Sequence, residues 1–206
     1  MEFETFIKVF LVCFLGAMSP GPSWILVINN TLFKGKISGY ITSIGHGLGI
    51  ASYALIANLS MGIIIKSNIF LFNSIKVFSI IFLIYLGYKS LSSKRINIQE
   101  KKYKGKFKSL MEGFSFAILN PKVLIWFMAI YSQFMSPNNE SIFNFILITT
   151  AGVVDMIWYS LLVFMVTTLG FLHFLKSKIE ILQKILGSIF ILIGIILTFM
   201  MIKSFY

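Results

Sequence analysis

The chain is 206 residues long, 57% hydrophobic and only 12% charged, with a mean hydropathy of +0.89; that balance excludes a soluble globular domain and indicates a polytopic membrane protein. Its net charge of +11 would suit nucleic acid, but seven of the eighteen Lys and Arg residues fall between Lys94 and Lys108, a topology signal and not a DNA-binding face. One cysteine, Cys13, excludes an internal disulfide, and with two histidines and one aspartate it leaves little material for a metal site.

A helix needs about 20 apolar residues to cross a bilayer, and six segments meet that length. The first, Val9 to Leu32, follows an acidic start (Glu2, Glu4) without a convincing cleavage site, so it reads as a retained helix and not a signal peptide. Ser19-Pro20-Gly21-Pro22 interrupts it. Each proline lacks an amide hydrogen and clashes with the turn before it, so carbonyls are freed to bind a cation or ammonium. The half-helix that restarts points amide hydrogens at any anion there. The plain alternative is a proline kink used for packing.

The second segment, Ile37 to Ile65, and the residues before it carry Gly35, Gly39, Gly45, Gly47, Gly49 and Gly62. Two four-residue glycine spacings permit close helix contact, and packing is their expected role. His46 between Gly45 and Gly47 can line a pathway or relay protons, or be a hydrogen-bonded structural histidine. The third segment is Leu71 to Leu91.

The fourth, Leu110 to Phe134, is broken by Asn120-Pro121-Lys122 about half a chain after the first break. Lys122 can neutralise an acid, meet a substrate carboxylate, or snorkel to an interface. Glu112 is expected at the cytoplasmic surface. The fifth, Ile142 to Leu169, holds Asp155, the sole aspartate; a carboxylate within a span is a functional site unless it is paired structurally or interfacial. Asn29, Asn30 and Gln133 are weaker polar candidates. The sixth is Ile185 to Ile202. Asn139-Glu140-Ser141 matches the glycosylation sequon at chance level.

Lysines cluster after segments one, three and five, which places those loops in the cytoplasm and both termini outside. A cysteine introduced near Lys102 in a Cys13→Ala background is therefore expected to resist an impermeant thiol reagent in intact cells, while one near Asn139 reacts; the reverse labelling would overturn the orientation. Residues 94–108 form a basic loop dividing a first three-helix unit, 1–93, from a second, 109–206. Three spans per unit make the second enter in the opposite sense, so the expected fold is all-α, six transmembrane helices in two inverted three-helix repeats. Interrupted segments at matching places in two halves point to a midplane site formed by Pro20, Gly21, Pro22, Asn120, Pro121, Lys122, Asp155 and His46.

There is no Walker A loop, no His-Glu-x-x-His and no Gly-x-Ser-x-Gly, so neither ATP-driven pumping nor the commonest hydrolase designs have support. A gradient-driven transporter is the expected class, with a passive channel or a non-transporting scaffold as the alternative. A membrane-embedded enzyme would need a partner for Asp155, and His46 is the other plausible general base.

Ser19-Pro20-Gly21-Pro22, Gly35 and Gly39, Tyr85-Leu86-Gly87, Gly113-Phe114, Asn120-Pro121-Lys122, Gln133-Phe134 and Asp155 with Trp158-Tyr159 together resemble the LysE/RhtB family of bacterial amino-acid exporters, over nearly the whole chain. The resemblance implies a six-helix, multi-pass secondary transporter of the bacterial inner membrane. It would not be an enzyme and would need no cofactor. The partners implied are a small amino-acid substrate, the proton as coupling ion and the lipid bilayer, with no nucleic acid, and a homodimer as the candidate assembly. These motifs mark the machine and not its cargo.

Overall fold

The computed structural model describes residues 3–92, 106–120, 122–123, 126–127, 141–168 and 171–203. The main elements among them are α-helices: α1 (Phe3–Met18), α2 (Pro22–Lys34), α3 (Lys36–Ser67), α4 (Ile69–Leu91), α5 (Lys106–Ile118), α6 (Ser141–Val166) and α7 (Phe171–Lys203). Of these, α3, α4, α6 and α7 are long and apolar enough to cross a bilayer, and α1 with α2 makes a fifth span if their 63° bend is one broken crossing. Much of the fourth expected segment, with Pro121 and Gln133, lies outside the described residues, as does most of the basic loop.

Helix α7 begins fourteen residues before the expected start of the sixth span. The reason is periodicity: Leu175, Ile179, Leu186 and Phe190 are buried on one face while Lys178 and Lys184 stand exposed on the other. Lysines that read as a loop thus sit on the exposed side of the helix, beside Phe174, Ile181 and Ile185. Asn68 separates α3 from α4 and caps the latter, its side-chain oxygen accepting the Leu71 N–H at 2.9 Å. Gly35, with φ of +93°, makes the corner between α2 and α3; a β-carbon would strain that backbone.

Lipid is as apolar as a leucine side chain, so helices in a bilayer associate through close packing. The glycines supply it here. On α3, Gly45 and Gly49 lie against Leu110, Phe114 and Ala117 of α5, while Gly47 lies against Gly152 and Met156 of α6. One of these contacts is reciprocal. A β-carbon on Gly47 would come within 2.8 Å of Gly152 O, and one on Gly152 within 3.0 Å of Gly47 O. Gly87 of α4 and Gly187 of α7 repeat the pattern, each facing the other's carbonyl at 2.7 Å. Apolar residues left exposed, such as Phe70, Ile81 and Phe199 on α4 and α7, suit a surface solvated by acyl chains.

Candidate functional site

Both breaks leave helix ends inside the protein, and each is mended locally. At the first, Pro22 takes the opening position of α2, where its missing N–H is harmless, and Gly21 is an N-cap without a side-chain cap bond. The ending carbonyls of α1 find donors: Ser19 N–H bonds Gly16 O at 3.3 Å and the Trp24 indole N–H bonds Ala17 O at 3.1 Å. At the second break the Tyr53 hydroxyl, from α3, donates to Ile118 O at the end of α5. Asn120 then caps the turn beyond it, its Oδ1 accepting the Lys122 N–H at 3.0 Å.

The two breaks open onto one cavity, about 580 Å³ when its open mouth is counted. Ser19, Gly21, Pro22 and Ser23 line it from the first break, Asn120 and Lys122 from the second, and His46 and Asp155 from α3 and α6. An apolar wall is formed by Ile50, Val123, Trp126 and Phe127. Helical spacing explains the α6 contribution, since Ala151, Asp155 and Tyr159 share one face at intervals of four. The glycine contacts of α3 explain His46, which sits between the stripe packed on α5 and the stripe packed on α6 and so projects where these helices meet.

A chain of hydrogen bonds joins these groups. Asp155 Oδ2 is 2.7 Å from His46 Nδ1, and His46 Nε2 is 2.9 Å from Ser23 Oγ. Asn120 Nδ2 donates to the same Ser23 oxygen at 3.3 Å. With His46 neutral and its proton on Nδ1 every bond has one donor and one acceptor: Asn120 amide to Ser23 oxygen, Ser23 hydroxyl to His46, His46 to Asp155. His46 and Asp155 are 1% and 5% exposed, so the ion pair they can form would be shielded from water. The Tyr159 ring packs edge-on against His46 at 4.8 Å. The Lys122 ammonium donates to Ser19 Oγ at 2.7 Å, above the first break; among the described residues it is His46, not Lys122, that holds the aspartate.

Of the residues expected from sequence, Gly21, Pro22, His46, Asn120, Lys122 and Asp155 therefore come together around one cavity. Pro20 lies in the break but not on the cavity wall, and Pro121 lies outside the described residues. Ser23 and Tyr159 were not expected in the site. For Ser23 the available signal was its hydroxyl directly after the helix-opening Pro22.

Sequence also underread Glu112. Its carboxylate accepts from Lys34 Nζ at 2.5 Å and from Asn30 Nδ2 at 3.0 Å, joining α5 to α2, and Asn30, 3% exposed, also donates to Thr42 Oγ1 at 2.8 Å.

Residues 14–201 match the family described as LysE type translocator. The chain is 30% identical over 192 residues to the uncharacterised membrane protein YrhP of Bacillus subtilis, covering 85% of this chain and 90% of that one. It is 27% identical over 152 residues to leucine efflux proteins of Salmonella choleraesuis and Salmonella typhimurium, covering 70% of each partner. No solved structure matches it. With its apolar helices, broken first span and family match, the chain belongs to the LysE type translocators, multi-pass proteins of the bacterial inner membrane.

Proposed function

We propose that this protein exports a small amino acid from the cytoplasm by alternating access, driven by inward proton flow. The observation that carries this reading is the hydrogen-bonded chain from Asn120 through Ser23 and His46 to Asp155, because it ties the intramembrane acid to both helix breaks at once. The amino-acid class comes from the relatives named leucine efflux proteins. A zwitterion suits the cavity: its carboxylate meets Lys122 and the uncapped start of α2, and its side chain meets Ile50, Val123, Trp126 and Phe127.

Protonation supplies the switch. When the His46 and Asp155 pair takes up a proton, Nε2 becomes a donor, and Ser23 must accept from it and turn its own hydroxyl hydrogen elsewhere. Orientation of Ser23, and with it the contact to Asn120, then depends on the protonation state.

The architecture that fits is two inverted three-helix repeats, 1–93 and 109–206, with 94–108 in the cytoplasm and both termini outside. The reciprocal glycine contacts support it, since a residue on a two-fold axis meets its own counterpart. Gly47 with Gly152 and Gly87 with Gly187 do this, at sequence offsets close to that between the two prolines, Pro20 and Pro121.

Counterflow in proteoliposomes tests the reading. Unlabelled L-leucine inside is expected to accelerate entry of labelled L-leucine severalfold, and Lys122→Met to reduce this to the level of empty vesicles. Equal flux with and without internal amino acid would make the protein a channel, and none at all with any proteinogenic amino acid would remove the transport reading.

The same geometry favours one other reading. Ser23, His46 and Asp155 are bonded in the order of a serine nucleophile, its base and the base's orienting acid. Labelling of Ser23 by a fluorophosphonate, with hydrolysis of a simple ester, would favour that reading; the exporter reading expects neither.

A further inference from the structure

A second cavity, distinct in its lining from the first, lies between α2 and α5. Leu26, Asn29 and Asn30 border it from α2, and Lys108, Glu112, Ser115, Phe116 and Leu119 from α5 and its end. The α5 residues recur at spacings of three and four, so one helix face supplies them. The space measures about 1070 Å³ including its open side. It is polar along one stretch and apolar along another, which is unexpected for a crevice filled by lipid tails alone.

We infer that this groove is a second binding site, for the zwitterion of an apolar amino acid, placed ahead of the central cavity on the same path. The inference rests on the export reading. The two linings follow one another along the chain: Leu26 is one turn beyond Ser23 on α2, and Leu119 precedes Asn120 on the other side. Between them stands the Ser23 to Asn120 hydrogen bond, long at 3.3 Å.

Chemistry in the groove matches the two poles of the ligand. Asn29 Oδ1 is buried and has no hydrogen-bond partner among the described residues, an acceptor whose desolvation nothing yet offsets. With the Glu112 carboxylate it makes a place for an ammonium group. Lys108, one turn from Glu112, and the Ser115 hydroxyl suit the carboxylate, and Leu26, Phe116 and Leu119 suit an apolar side chain.

Glu112 is held at present by Lys34 at 2.5 Å. An incoming ammonium can replace the Lys34 ammonium on that half-buried carboxylate, so the acid is not left without a cation. The exchange also removes an ion pair that ties α2 to α5. Binding in the groove therefore loosens the contact that separates it from the central cavity, so loading and opening are one event.

Equilibrium binding of radiolabelled L-leucine to the full-length protein in lipid nanodiscs tests this. Two sites per chain are expected. Glu112→Gln should leave one, and Lys122→Met should leave the other. Asn29→Leu, which spares the ion pair, should weaken the groove site at least tenfold with the central site unchanged, and it guards against a folding defect in Glu112→Gln. A single site in the native protein that Lys122→Met removes would overturn the groove site while sparing the export reading. Two sites that both survive Glu112→Gln and Asn29→Leu would overturn it as well. No leucine binding to the native protein would overturn the inference together with the cargo class on which it rests.

Discussion

Asp155→Asn is expected to abolish concentrative export in cells and in vesicles with an imposed proton gradient, while amino-acid counterflow persists. The substitution removes the charge but keeps an oxygen able to accept the His46 Nδ1–H now 2.7 Å away, so the chain of bonds and the cavity stay in place. What is lost is the anion that lets the pair exchange a proton. His46→Ala is a harsher change, because it leaves a 5% exposed carboxylate without its partner; breaking a buried pair in this way costs about 3–5 kcal/mol. Its effect on export would mix folding with coupling. Transport assays on Asp155→Asn at matched membrane content decide the question, and native uphill export by that variant would make the acid structural.

Gly45→Ala and Gly113→Ala are expected to be the most damaging glycine-to-alanine changes among the described residues. A β-carbon at Gly45 would stand 2.0 Å from Leu110 O, and one at Gly113 2.1 Å from Thr42 O. Both obstacles are backbone, so no side chain can swing aside and α3 must part from α5. Overpacking of this kind typically costs about 1–3 kcal/mol and occasionally more, and His46, next to Gly45, would move with the helix. Both variants should show a lower melting temperature and reduced membrane yield. Gly16→Ala, which meets the Trp126 side chain, should be milder, and a thermal melt of the three purified variants gives the ranking.

The features legible in the sequence were those written in local chemistry. Pro20 and Pro22 announce a break wherever they fall in an apolar run, and a lone Asp155 within such a run announces a site. The glycines of α3 were readable as packing residues for the same reason. Pairing was not readable: His46 and Asp155 are 109 positions apart, and nothing in either neighbourhood names the other. Lys122 was an equally reasonable partner for the acid until α3 was placed between α5 and α6. Glu112 was passed over because an acid near a predicted helix end usually faces water, whereas here Lys34 and Asn30 arrive from another helix to hold it. The stretch of α7 before Ile185 was not legible because lysines weigh against a span, although Lys178 and Lys184 stay exposed while Leu175, Ile179 and Leu186 face inward.

The reciprocal glycines bear on motion as well as on packing. Knobs of leucine or phenylalanine interlock and resist rotation, but a crossing in which main-chain atoms meet only main-chain atoms and β-carbons has shallow teeth and can act as a bearing. Gly47 and Gly152 form such a crossing, and His46 is the immediate neighbour of one while Asp155 is three residues from the other. The His46 and Asp155 pair therefore sits close to that crossing, with a lever arm of only about 4–5 Å. A rocking angle of roughly 15°, typical of rigid-body transitions, would shift His46 against Asp155 by about 1 Å, enough to break a 2.7 Å hydrogen bond while the flanking helix ends sweep several times further. Under the proposed export cycle, a proton held at the fulcrum and a cargo path along the arms would make protonation a small displacement and transport a large one.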